Sequence, residues 1–167
     1  MKNIRLFVAI GVMMVSVQSI NAQWSTDPAN PGVVCDYQNI QNDPKAFSDD
    51  NGGIYVFWLD KRNDAGQGAR DIYGQHFDMD GYPLWEEDGR QIISHYNKLD
   101  WFTVDRIFNS EIIIGWRSTS NGYPYPDTLR IQRLDETGNK VWVNDMIVGF
   151  ASPSPISILS VNSYNII

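Results

Sequence analysis

"DIYGQHFDMDGYPLW", residues 71–85, decides how this chain is to be read, because its beat returns in "TLRIQRLDETGNKVW", residues 128–142. Gln75 and Gln132, Asp78 and Asp135, Gly81 and Gly138, and Trp85 and Trp142 keep step at one spacing of 57 residues. In each copy a short run with β-branched or aromatic residues meets a Gly-bearing turn ("MDGY", "ETGN") and then a tryptophan. That order predicts a strand closing into a hairpin.

The repeat extends upstream. "GGIYVFW" (52–58) and "EIIIGW" (111–116) are continuous apolar runs, and Trp58 and Trp116 stand 58 residues apart. Unbroken runs predict strands covered on both faces, whereas "DIYGQHF" and "LRIQRL" alternate more and predict half-exposed ones. Gly, Asn, Asp and Pro fill the gaps, so the expected class is all-β. "SPSPISILSVNSYN" (152–165) reads as a third start, and Trp24 with "GVVC" (32–35) resembles Trp85 with the "EEDGRQII" after it. Whole units are therefore expected at roughly 43–95 and 101–150, with partial units at 24–40 and 151–167.

A unit of fifty-odd residues and about four strands is the size of one propeller blade. The expected architecture is a partial β-propeller of antiparallel four-stranded blades, two whole and two half. A propeller needs at least four blades, so the chain is expected to be the front part of a longer protein. The alternative is a small, complete β-sandwich, which the length permits. That alternative leaves the repeat without a reason.

The amino terminus reads as an address. Lys2 and Arg5 precede an apolar run, Leu6 to Val17, and Ser19-Ile20-Asn21-Ala22 offers a cleavage site before Gln23. Residues 1–22 are thus an expected signal peptide, too short for a comfortable membrane span. The mature chain would be secreted or held at the cell surface. Its net charge would go from −7 to −9, because Lys2 and Arg5 are the only charges removed. An acidic chain without a Lys/Arg block argues against nucleic acid as a partner. Cys35 is the only cysteine, so no internal disulfide forms, and its neighbours Val33 and Val34 predict a buried strand position.

"GGIYVFWLDKR" with "RDIYGQHFDMDGYPLWEEDGRQII" after it resembles the repeat of large secreted bacterial β-propeller proteins. The first unit carries the pattern through Trp58, Asp60, Arg62, Asp71-Ile72-Tyr73, Gln75, Gly81 and Trp85. The second keeps Trp116, Gln132, Asp135, Gly138 and Trp142, but has Ser118 and Ser120 where the first has Asp60 and Arg62. Proteins of this kind are often exported by the type IX route. The resemblance implies an architecture and an export route, not a catalytic activity. "LDETGNKVW" (134–142) is also similar to the repeat of quinone-dependent dehydrogenase propellers. In that family the Gly turn and Trp join neighbouring blades, and the cofactor groups lie elsewhere.

Few residues invite chemistry. Asp60, Arg62 and Asp71 are the candidate binding residues; Asp60 and Arg62 either pair and brace their loop or face a ligand at a propeller rim. Bracing is the ordinary outcome. "HFDMDGYPLWEE" (76–87) can be laid on a calcium loop, but His76 then takes the first ligand position and no helix flanks it. Glu86, Glu87 and Asp88 are adjacent in one turn, whereas glycoside hydrolysis needs carboxyls facing each other across a cleft. His76 and His95 lack a zinc spacing, and no phosphate loop or nucleophile motif occurs. No cofactor and no catalytic residue is assigned. The expected function is an exported, non-catalytic repeat module that presents loops to a glycan, a protein or a cell surface. The alternative is the front of a glycosidase-like or quinone-type propeller enzyme, with its catalytic groups in further blades.

Overall fold

The computed structural model describes residues 24–151 apart from 26, 67, 95–98, 108–109 and 120–126. The expected signal peptide, the third start at 152–165, His95 and Ser120 lie outside the described residues. Eight strands run β1 (Gln41–Ser48), β2 (Ile54–Asp60), β3 (Asp71–Phe77), β4 (Arg90–Ile93), β5 (Leu99–Arg106), β6 (Ile112–Ser118), β7 (Asp127–Leu134) and β8 (Met146–Ala151). They form two antiparallel four-stranded meanders, β1-β2-β3-β4 and β5-β6-β7-β8. Among the described residues no helix is long and apolar enough to cross a membrane.

The two sheets share one register. Ile54 pairs with Phe77 and Val56 with Gln75 in the first; Ile112 pairs with Leu134 and Ile114 with Gln132 in the second. Trp58 and Trp116 are each the fifth residue of the second strand. Side chains alternate across a strand, so directly paired residues share a face. Val56, Trp58, Tyr73 and Gln75 lie on what we call the front of the first sheet, with Tyr55, Phe57, Leu59 and Ile72 on its back. By the same rule Phe102, Ile112, Ile114, Trp116 and Leu134 lie on the front of the second.

The main core joins the back of one sheet to the front of the other. Tyr55, Phe57, Leu59, Ile72 and Ile93 cluster with Phe102, Ile112, Ile114, Trp116 and Leu134. These side chains are at most 2% exposed, and burying each contributes roughly 1.5–3 kcal/mol. Lys45 on β1 lies 5.0 Å over the Phe102 ring, and Arg106 reaches Asp50, so polar groups also span the seam.

Two expectations change. Every residue of β3 is buried, although its alternation predicts a half-exposed strand. Its front is covered by Trp24 on Phe77 and by Arg62 on Tyr73, and its back by Trp85 against His76. Of these covers Trp24 comes from 53 residues away, outside the strand's own hairpins. Trp85 and Trp142 are half-buried, unlike the fully covered Trp58 and Trp116, because they sit at hairpin ends. Cys35 is half-buried in a loop, since Val33 beside it is 67% exposed and residues 32–37 form no strand.

β1 is an edge strand with regular half-exposed alternation. Its register shifts between Asn42 and Lys45, around Pro44, which has no N–H to give a ladder. β4, with four residues, is the short opposite edge.

Candidate functional site

The polar side chains of the front face are tied to one another. Asp60, 1% exposed, accepts from the Trp58 indole at 2.9 Å and from the Arg62 backbone N–H at 2.7 Å. Arg62 Nη2 donates to Asp60 at 2.7 Å, to the Asp88 carbonyl at 2.8 Å and to Cys35 Sγ at 3.3 Å. Its guanidinium lies between two rings, 4.3 Å from the centre of Tyr37 and 3.9 Å from that of Tyr73. A planar cation suits such a slot, since it stacks and donates in its own plane. Burial raises the Asp60 carboxyl, but Arg62 and the Trp58 indole outweigh it and hold the group below the usual carboxylate range. Burial pushes the Cys35 thiol up.

Asp71 accepts from Asn63 Nδ2 at 2.8 Å and from Gln91 Nε2 at 2.7 Å, and Asn63 also donates to the Tyr73 hydroxyl. The three candidate binding residues thus belong to one network on the front of the first sheet. In this geometry they brace the 61–70 loop and the 34–37 segment. In the second sheet Ser118 occupies the place of Asp60, and the Trp116 indole N–H is buried without a partner among the described residues.

Gln75 and Gln132 do equivalent work. Gln75 Oε1 accepts from the Trp85 N–H at 3.0 Å, and its Nε2 donates to the Glu86 carbonyl at 2.7 Å. Gln132 Oε1 accepts from the Trp142 N–H at 3.1 Å, and its Nε2 donates to the Trp142 carbonyl, also at 3.1 Å. Each amide satisfies both kinds of backbone group in a segment that leaves the ladder, which a buried chain requires. The spacing of Gln to Trp is fixed by this reach.

The aspartates before the turn glycines point inward. Asp78 accepts from the N–H groups of Asp80 and Tyr82, and Asp135 from those of Thr137 and Asn139. Asp49 does the same for Asn51 and Gly53, and its second oxygen meets His76 Nε2 at 3.0 Å. His76 in turn stacks on Tyr55, with ring centres 3.9 Å apart. Burial raises the Asp49 carboxyl, yet His76 and the two turn amides hold it below its ordinary value. Sequence reasoning missed the Asp49–His76 pair, for which the only signal was an aspartate four residues before a glycine. Among the described residues no three His, Cys, Asp or Glu side chains are grouped to hold a cation.

The tryptophans join units. The Trp85 indole donates to the Glu136 carbonyl at 3.3 Å, and its ring lies where a Cβ on Gly138 would come within 3.0 Å. The Trp24 indole donates to the Met79 carbonyl at 3.1 Å, and a Cβ on Gly81 would come within 2.8 Å of its ring. In both cases the acceptor stands two residues before the glycine. Gly81 and Gly138 have φ of +86° and +80°, so glycine serves both the turn and the close approach. Arg90 adds a bond to the Thr137 carbonyl across the same seam.

Beside the Trp85 contact an open cleft of about 620 Å³ is lined by His76, Leu84, Trp85, Glu86, Arg90, Glu136 and Thr137. It offers an aromatic wall, a guanidinium and two carboxylates. Glu86 and Glu136 are both exposed. No protein-family model, curated protein or solved structure matches this chain.

Proposed function

We propose that this chain is an exported, non-catalytic repeat module of β-propeller type that binds an extracellular glycan in the seam cleft. The observation that carries the reading is the back-to-front stacking of two sheets with one register. A complete sandwich closes two faces on each other, whereas back-to-front stacking repeats indefinitely and suits a ring or array. The resemblance of residues 52–93 to secreted propeller repeats and the signal-like residues 1–22 support export. The cleft supports the ligand class: sugars are held by an aromatic wall together with charged groups that accept and donate in a fixed plane. Asp60, Arg62 and Asp71 are spent on bracing and Arg90 bonds across the seam, which leaves the Leu84, Glu86 and Glu136 surface for recognition.

Two measurements test it. The intact mass of the product released into the medium should correspond to a chain starting at Gln23. The same product on an array of oligosaccharides should retain a subset, and Leu84→Ala with Glu86→Ala should weaken that retention about tenfold. A product retained inside the cell with Lys2 present, or retention untouched by the double substitution, contradicts the proposal.

A further inference from the structure

The Trp–Gly contact occurs twice in the same sense, and a third tryptophan is in place to make it again. Trp142 stands to Gln132 as Trp85 stands to Gln75, and its backbone is held by the same amide. Its indole meets no acceptor among the described residues and its ring is half-exposed. By the shared register it belongs with the back of the second sheet, as Trp85 stands against Tyr55, Phe57 and His76 on the back of the first. Ile113, Leu129 and Ile131 occupy positions that in the first sheet are Tyr55, Ile72 and Gly74. Tyr55 and Ile72 are buried in the cluster shared with the second sheet and Gly74 lies under Phe57 and Trp85, whereas Ile113, Leu129 and Ile131 remain half-buried. Met146, which pairs with Ile131 and so shares this face, is 50% exposed.

We infer that Trp142 and the back of β6-β7-β8 form a docking surface for another unit of this same repeat, presented through a hairpin closed by an Asp-x-x-Gly turn. The Trp142 indole would donate to the carbonyl two residues before that glycine, and the glycine would lie under the ring. The surface continues the interface already formed between the two sheets, in the same direction. Arg90 has no charged counterpart, since Met146 pairs with Ile131 as Arg90 pairs with Gly74. The third joint therefore rests on the indole and the apolar face. This inference stands on the stacking geometry and not on export or glycan binding.

The chain itself supplies a probe. Its own Gly81 turn is an acceptor of the required kind, occupied by Trp24 from an exposed segment. Trp24→Ala vacates that turn without touching the core between the sheets. The unmodified mature chain, labelled with nitrogen-15, is titrated with unlabelled Trp24→Ala chain to about 1 mM, a range that detects binding as weak as roughly −4 kcal/mol. The expected result is a saturable shift of the Trp142 indole N–H, with amides of β8 moving alongside it. A probe carrying Trp24→Ala and Gly81→Val should lose the effect at least tenfold, and so should labelled chain carrying Trp142→Ala, read on the β8 amides. No shift to 1 mM overturns the inference. So do shifts of equal size with the Gly81→Val probe, or shifts in β8 that survive Trp142→Ala. The amide spectrum of each probe verifies that its sheets are intact, and Trp24→Leu serves if Trp24→Ala is not folded.

Discussion

Gln75 and Gln132 do more for the hairpins than their polarity suggests. Each is at most 1% exposed and bonds backbone groups around the next tryptophan. Replacing either with Ala removes a donor and an acceptor at once and leaves buried amide groups unmet. Each substitution should cost about 2–4 kcal/mol in urea unfolding, near twice the penalty of one unsatisfied buried group. Gln→Glu should not rescue, since a carboxylate cannot donate to the carbonyl. Tyr55 carries a pH signature. Burial first, and then the Asp49, Glu136 and Asp135 carboxylates, push its phenol from 10.0 up to about 12. A raised folded value stabilises fully below the unfolded value and is lost as pH rises through the folded one. Stability should therefore decline from about pH 10 towards 12, and Tyr55→Phe should flatten that part of the curve. A chain whose alkaline limb is unchanged by Tyr55→Phe would show that the phenol is solvated.

The hairpins join the sheets through contacts that tolerate little. At Gly138 a side chain would meet the Trp85 ring at 3.0 Å and sit at φ +80°. Gly149 on β8 has nothing within 4 Å of an added Cβ and no positive φ. Gly138→Ala should destabilise by about 1–3 kcal/mol, the scale of one strained backbone position, whereas Gly149→Ala should be near neutral. Equal effects in thermal unfolding would mean that the Trp85 joint contributes nothing. The strands, the Gly turns and the equivalence of the two tryptophan pairs were legible in the sequence, because apolar runs and turn residues act locally. What covers a face was not. β3 alternates like an exposed strand, yet its front is closed by Trp24, 53 residues before Phe77, and by Arg62, eleven before Tyr73. The ties of Arg62 to Cys35 and Asp88 likewise span 27 and 26 residues, beyond any local pattern. Val33-Val34 predict a buried strand position for Cys35, but the 34–37 segment is held by side-chain bonds instead of a ladder. Its Asp36 N–H donates to Asp88 at 2.7 Å.

For the whole molecule the central claim is the order of stacking: the back of the first sheet lies on the front of the second. From this order come the half-open back of the second sheet, the direction of the Trp–Gly contacts and the reading as one stretch of a repeating array. A sandwich whose two backs face each other would have the same strands, the same hairpins and similar total burial. The two arrangements differ in which side of β6 touches β2. Proton–proton distances from nuclear Overhauser spectra of residues 23–167 separate them, with Phe57 ring protons as the origin. The account predicts cross-peaks from Phe57 to the front of the second sheet, at Ile114 and Trp116, together with Trp85 ring protons to the Gly138 α-protons. Cross-peaks from Phe57 to Ile113 and Ile131 on the back, with Ile114 and Trp116 silent, would contradict it.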